Sequence, residues 1–439
     1  MTVKISTTTA LQANQILRQS TLILMSIIMT KWGVSMSEIG IYETFMFVSY
    51  TVSFFWITAF LQGILTQYPS ISESEKPCYV FNIFLIFNTL SIIIFLFLYF
   101  LPLQSLYFLT AKTDTQYFNV FAFYLLFFLP PFLLDSVWTV ENRPLSILGF
   151  SLLTNALLLV SIIYPILQNR DFLGCFYIMV IVAFLRYIIL IFNILKRGNF
   201  HFSPKIIKAF LTITTPLMGY AFVGGFIVAI TTWLVSRQFS NEYFAIYRFG
   251  AREFPVINAL ATGLSSAMIP LLIPQNNDFN LENALNTEGV AVLKSKTLRL
   301  WHILFPLSIV LMFASKTLFG LVFNVEMIKA APIFNVLLLL MLSRALFPQS
   351  MMMALKETKT LFWMSIIEAL SIVIMAIFFI HFWGMIGVAW AMVLGYLTEK
   401  IMMILFLRKK YNIHFTDYTH VNYYLFYTFA LLISYFVNF

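Results

Sequence analysis

The chain has 439 residues, of which 61% are hydrophobic, while its 27 Lys and Arg and 18 Asp and Glu make only 10% of it charged. A soluble globular domain carries roughly 25% charged residues and under half apolar ones, so this composition excludes that class and describes an integral membrane protein. The net charge of +9 is scattered over short connections rather than gathered on one soluble face, which excludes a nucleic-acid binder and points to membrane topology and an anionic lipid or substrate.

A bilayer-crossing helix needs about 20 mostly apolar residues. Apolar segments of that length lie near 14–32, 42–66, 80–101, 117–134, 146–167, 172–195, 208–236, 243–273, 299–324, 330–354, 360–381 and 384–407, with a last one at 421–438. All thirteen read as helices, because lipid offers backbone groups no partner outside a helix or a closed barrel and these runs are about twice a barrel strand in length. Residues 1–12 are polar and Thr-rich, so no cleavable signal peptide is expected. Cys78 and Cys175 are far apart, each in or beside an apolar segment, and imply no disulfide framework.

Basic residues in the connections set the orientation. With the amino terminus in the cytoplasm, the inner side holds Lys4, Arg18, Lys76, Arg143, Lys196, Arg197, Lys205, Lys208, Lys294, Lys296, Arg299, Lys356, Lys359, Arg408, Lys409 and Lys410. The outer side then holds only Lys31, Lys112, Arg170, Arg237 and Lys329, and that imbalance favours this orientation. The outer connections are short, too short for a soluble domain.

An internal repeat organises the chain. At an offset of 205, residues 36–69 superpose on 241–274, matching Ile41-Tyr42 to Ile246-Tyr247 and Pro69 to Pro274. At an offset of 213, segments four to six superpose on ten to twelve, with Gly174 falling on Gly387; the increase is absorbed by the longer loop at 275–298. Six segments on, the chain faces the same way again, so the halves are parallel copies related by an axis along the membrane normal. The expected fold is an all-α polytopic membrane protein with two six-helix lobes, 1–198 and 199–410, and a C-terminal segment, 411–439, carrying the thirteenth helix.

Ionisable residues inside spanning segments are costly and usually face protein or a wet interior. They are Arg18, Glu43, Arg186, Arg248, Arg252, Glu253, Arg344, Glu368, Glu399 and Lys400. Arg18, Glu43, Glu399 and Lys400 lie within reach of an interface, where a long side chain can snorkel to water. Arg248 and Arg252, four residues apart, fall on one face of a helix and would hold an anion between two guanidinium forks, unless Glu253 and acids on neighbouring helices neutralise them. The repeat places Glu43 on Arg248 and Arg186 on Glu399, equivalent positions of opposite sign. Glu43 with Arg248 is expected to close an outer gate, and Arg186 and Glu399 either gate or form pairs within a lobe. Glu368, midway along segment eleven, is a candidate to titrate or bind a cation, or else a permanent partner of Arg344. Met351 to Met353 read as soft packing. The histidines have no metal-ligand spacing and no nucleophile motif occurs, so neither a metal nor a cofactor is expected. Pro130-Pro131, Pro216, Pro255, Pro306 and Pro348 are expected to kink their helices.

The stretches Ser37-Glu38-Ile39-Gly40-Ile41-Tyr42-Glu43, Tyr247-Arg248-Phe249-Gly250-Ala251-Arg252-Glu253-Phe254-Pro255 and Ser266-Ala267-Met268-Ile269-Pro270-Leu271 resemble the Wzx-type polysaccharide flippases. That family belongs to the multidrug/oligosaccharidyl-lipid/polysaccharide exporter superfamily, with the multidrug and toxic-compound extruders and the lipid II flippase. The resemblance implies two lobes around a cavity that opens alternately to either side of a bacterial inner membrane. It further implies an undecaprenyl-pyrophosphate-linked oligosaccharide as substrate, membrane lipids as surroundings, and polysaccharide polymerase or ligase partners. Arg18, Arg248 and Arg252 match basic cavity positions of that family, and Arg344 joins them on physical grounds. A thirteenth segment departs from the twelve or fourteen usual there. A multidrug extruder of the same superfamily would favour an acidic cavity. A membrane polysaccharide polymerase or O-antigen ligase would be an enzyme with a sizeable outer loop. A transporter rather than an enzyme is therefore expected.

Overall fold

In a computed structural model, residues 7–100, 115–168, 172–252, 260–261, 264–265, 268–269, 271–273 and 285–438 are described. Among these residues there is helix and no strand, as the absence of water in hydrocarbon requires. The helices are α1 (Thr7–Lys31), α2 (Met36–Gln67), α3 (Lys76–Phe100), α4 (Thr115–Phe128), α5 (Phe132–Val140), α6 (Pro144–Leu167), α7 (Leu173–Arg197) and α8 (Pro204–Gln238). There follow α9 (Asn241–Gly250), α10 (Thr287–Val322), α11 (Ala331–Leu338), α12 (Met341–Arg344), α13 (Pro348–Ala354), α14 (Thr358–Tyr411), α15 (Phe415–Tyr418) and α16 (Val421–Asn438). Nine runs among the described residues are long and apolar enough to cross a bilayer.

One of those runs is two crossings. At about 1.5 Å per residue the 54 residues of α14 would reach roughly 80 Å if straight, far beyond a bilayer's ~30 Å core. It instead turns at Gly384, whose φ of 58° and ψ of −139° suit a residue without a side chain. The two limbs then run back along each other: an added Cβ at Gly387 would lie 2.3 Å from the Phe379 carbonyl oxygen, and Tyr411 at one end bonds Glu357 at the other. Predicted segments eleven and twelve are therefore one hairpin.

The described chain forms two compact units, Met1–Gly225 with Ser236–Ala245, and Phe226–Val235 with Ile246–Phe439. In the first, α1 packs along α6, and α4 packs against α3 and α7. Aromatic rings fill its interior: Phe45 stacks on Phe121 at 4.5 Å and meets Phe176 edge-on at 5.0 Å. Asn82, fully buried on α3, ties down the connection before α8 by donating to the His201 carbonyl (2.9 Å) and accepting from the Ser203 amide (2.8 Å). In the second unit α14 packs against α11 and α13, and α16 lies against α10. Tyr427 of α16 stacks on Phe305 at 5.1 Å and shares a 2.6 Å hydrogen bond with His302 Nδ1, while Tyr424 Oη donates to the Leu342 carbonyl. The thirteenth segment is thus an 18-residue helix anchored by aromatics, about 27 Å long.

The two halves of the sequence reuse one plan. α2 opens at Met36 and α9 at Asn241, 205 residues later. α6 opens at Pro144 and α14 at Thr358; α7 closes at Arg197 and α14 at Tyr411, intervals within one residue of 213. A matching latch closes both helix pairs. Glu141, between α5 and α6, accepts from Arg197 (2.6 Å) and Tyr68 (2.8 Å), with Arg143 at 3.1 Å. Glu357, just before α14, accepts from Tyr411 (2.5 Å), Thr360 (2.8 Å) and Lys410. At the repeat offset Lys410 is the equivalent of Arg197.

Burial works against the charged form of Glu141, but the hydrogen bonds from Arg197 and Tyr68 outweigh it and hold its carboxyl below the ordinary 4.5. Glu357 is likewise lowered: its desolvation is overcome by Lys410, Tyr411 and Thr360. An unfolded chain would take up these protons first, so stability from both latches is complete above the unfolded value and is lost as pH falls through the lower folded values. The thermal unfolding midpoint of the purified protein is expected to hold steady above about pH 5 and to decline through pH 4. In Glu141→Gln plus Glu357→Gln the midpoint should be lower at neutral pH and the acid decline shallower; an unchanged decline would remove the latches from the account.

Candidate functional site

In the first unit the chain cannot carry helix through Pro130-Pro131, which lack amide donors, so α4 ends at Phe128 and α5 restarts at Phe132. The short α5 presents Phe132 and, three residues on, Asp135. Arg186 of α7, only 6% exposed, enters from the side. Its guanidinium carbon lies 4.8 Å from the Phe128 ring centre, 5.3 Å from Phe150 and 5.7 Å from Phe132. Arg18 of α1 lies 5.4 Å from the same Phe132 ring. Arg186 also interacts electrostatically with Tyr124, Asp135 and Arg18. Arg18 and Arg186 follow from the apolar-segment reading, but Asp135 does not, because the fourth apolar segment ends at 134, one residue short. Glu43, expected near an interface, is instead 2% exposed within α2 and engaged by a neighbour.

In the second unit the hairpin turn at Gly384 brings Glu368 on one limb beside Glu399 and Lys400 on the other, all at least nine-tenths buried. Lys400 Nζ pairs with Glu399 Oε2 at 3.2 Å, and Ser365 Oγ donates to Glu399 Oε1 at 3.3 Å. Glu368 interacts with both Glu399 and Lys400, and its Oε1 has no hydrogen-bond partner. Two expectations are corrected here. Glu399 and Lys400 do not snorkel, because the opposite limb packs over them. The charged neighbours of Glu368 are these two rather than Arg344, which ends the four-residue α12. That helix is short because Pro348 has no amide to give the Arg344 carbonyl.

Arg248 is half-buried on α9 and acts electrostatically on buried Tyr247. The helix it was expected to share with Arg252 stops at Gly250: the Arg252 amide bonds back to Phe249 (3.4 Å), a tightened last turn. Pro255 cannot donate to the Ala251 carbonyl, which is the sequence cause. Arg252 lies over the Phe249 ring at 4.5 Å. Arg248, Arg252 and Arg344 each have a neighbour that engages them. Glu253 lies outside the described residues, and Glu43 and Arg248 lie in different units. No group of three or more His, Cys, Asp or Glu among the described residues is placed to hold a metal.

No protein-family model and no curated protein sequence matches this chain. Solved structures do. The lipid II flippase MurJ in an inward closed conformation superposes with a TM-score of 0.72 at 17% identity, over 98% of this chain and 91% of that one. An inward-facing multidrug resistance MATE family transporter of the MOP superfamily gives 0.64 at 13%, over 94% and 96%. A MOP superfamily transporter from Pyrococcus furiosus with a binding pocket of reverse polarity gives 0.57 at 14%, over 93% and 97%. The chain shares the fold of these membrane transporters. It is a multi-pass membrane protein of two repeated helical units.

The Glu368, Glu399 and Lys400 cluster gives a direct energetic test. Removing the lysine alone leaves two buried carboxyls without a cation, and breaking a buried pair costs about 3–5 kcal/mol. Lys400→Met should lower unfolding stability on that scale, and adding Glu399→Gln should restore most of it. A double-mutant cycle showing additive losses would mean that the two side chains are not coupled.

Proposed function

We propose that the protein is a flippase that moves an undecaprenyl-pyrophosphate-linked oligosaccharide across a bacterial inner membrane for polysaccharide or lipopolysaccharide synthesis, with its amino terminus in the cytoplasm. The observation that carries this reading is the set of five arginines, Arg18, Arg186, Arg248, Arg252 and Arg344, within apolar segments of a fold shared with a lipid flippase. Each charge costs free energy in that setting, and arginine forks suit diphosphate oxygens. A headgroup of phosphates and sugars cannot cross about 30 Å of hydrocarbon unaided. The protein supplies a basic, hydrated route while the prenyl tail stays in lipid, and it opens to one face and then the other. No bond is made or broken. Glu368 with Glu399 and Lys400 supplies the group through which an ion gradient acts, since two carboxylates against one ammonium leave a negative charge that a proton or cation neutralises. Partners are the lipid-linked substrate, membrane lipids and the polymerase or ligase that consumes the product.

A second reading, extrusion of cationic drugs, is favoured by that same buried carboxyl pair and by the likeness to MATE transporters. Deletion separates the two. For the flippase, lipid-linked repeat units accumulate on the inner leaflet and return to normal on complementation; Arg248→Ala with Arg252→Ala should reduce that rescue at least about tenfold, the scale of losing charge-assisted hydrogen bonds. Drug sensitivity without accumulation would favour extrusion instead.

A further inference from the structure

The five arginines are not equally provided for. Arg186 is 94% buried by its 6% exposure, yet its Nε and Nη1 have no hydrogen-bond partner. A buried guanidinium remains charged, and donors left without an acceptor cost stability unless something else binds them. The groups around it are the rings of Phe128, Phe132 and Phe150, the hydroxyl of buried Tyr124, and the charges of Asp135 and Arg18. The rings attract the cation through their faces but accept no strong hydrogen bond. Asp135 acts on both arginines electrostatically without closing a bond to either of those two nitrogens.

Two guanidinium groups and one carboxylate leave one positive charge over. Both arginines lie within 6 Å of a single ring, Phe132, which holds them close enough to act on one ligand. The cluster is also reachable. Arg18 is exposed and Asp135 half-buried, so two members of the cluster meet the surface of the first unit.

We propose that Arg186 and Arg18, flanking Phe132, form a diphosphate-binding subsite within the first unit, with Asp135 as the internal competitor that the anion displaces. The subsite is separate from Arg248 and Arg252 and rests on the flippase reading only for its physiological ligand. Arg186 is then a substrate-contacting residue rather than a gate. Asp135 sets the affinity: while ionised it shares the field of the two arginines, and a diphosphate entering along Arg18 takes the two open donors of Arg186.

The test is calorimetric titration of the full-length protein in phosphatidylcholine nanodiscs with inorganic pyrophosphate and, separately, farnesyl pyrophosphate. Wild-type protein should bind, Arg186→Gln and Arg18→Gln should each weaken binding about tenfold, and the near-isosteric Asp135→Asn should strengthen it severalfold. Strengthening is the decisive arm, because a carboxylate needed only to hold Arg186 in place would lower affinity when neutralised. Tighter binding of farnesyl pyrophosphate assigns the subsite to a lipid headgroup, and equal affinity assigns it to a free diphosphate. Binding that survives Arg186→Gln and Arg18→Gln but is lost in Arg248→Gln or Arg252→Gln overturns the subsite and leaves the flippase reading standing. Binding unchanged or weakened in Asp135→Asn overturns the subsite. No binding by wild-type protein to either probe overturns both.

Discussion

A charge placed in hydrocarbon must be surrounded by protein, and the architecture of both units follows from meeting that demand in two different ways. In the first unit Arg186 is enclosed by three phenylalanine rings and shares a field with one acid and a second arginine. In the second, Glu399 is matched by the adjacent Lys400 and covered by the opposite limb of a hairpin. The Lys400–Glu399 pair forms within one helix, but the covering that buries it and the rings that enclose Arg186 come from other segments. Each requires chain from another element to arrive at the right depth.

Interruptions of helix deliver that chain. Pro130-Pro131 ends α4 and lets α5 offer Phe132 and Asp135 toward α7. Pro348 ends α12 after Arg344, and Gly384 turns α14 back on itself so that Glu368 meets Glu399. The first two act by withholding an amide from the carbonyl four residues earlier, the third by adopting a positive φ that a side chain would resist. The latches at Glu141 and Glu357 fasten the ends of the helix pairs on which Arg186 and Glu399 sit, so the charged groups are borne on segments held at a terminus as well as along their length.

The repeat shows one scaffold carrying opposite chemistry. At the offset of 213, Arg186 corresponds to Glu399 and Asn155 to Glu368. Asn155 satisfies itself locally, donating to the Ser151 carbonyl at 2.8 Å, where Glu368 keeps an unpartnered oxygen against another carboxyl. At these equivalent positions of the repeat the first unit is therefore basic and the second acidic.

Hydropathy alone determined that this chain is a many-segment membrane protein of helices, because lipid penalises every exposed backbone group and every unpaired charge, and superposing its halves showed the repeat at offsets of 205 and 213; the breaks were less legible, since α8 and α10 run on through Pro216 and Pro306. Partnership was a different matter. Asp135 stands one residue beyond a hydropathy boundary, Glu399 and Lys400 read as interfacial because the limb that buries them is more than 25 residues away in sequence, and of the two roles the sequence leaves open for Glu368 the pairing with Arg344 gives way to Glu399 and Lys400 across the hairpin. The four-residue spacing of Arg248 and Arg252 predicts one helical face, yet α9 ends between them. Which charges meet depends on where the turns fold one segment against another, and that is decided by close packing in three dimensions, which no periodicity along the chain records.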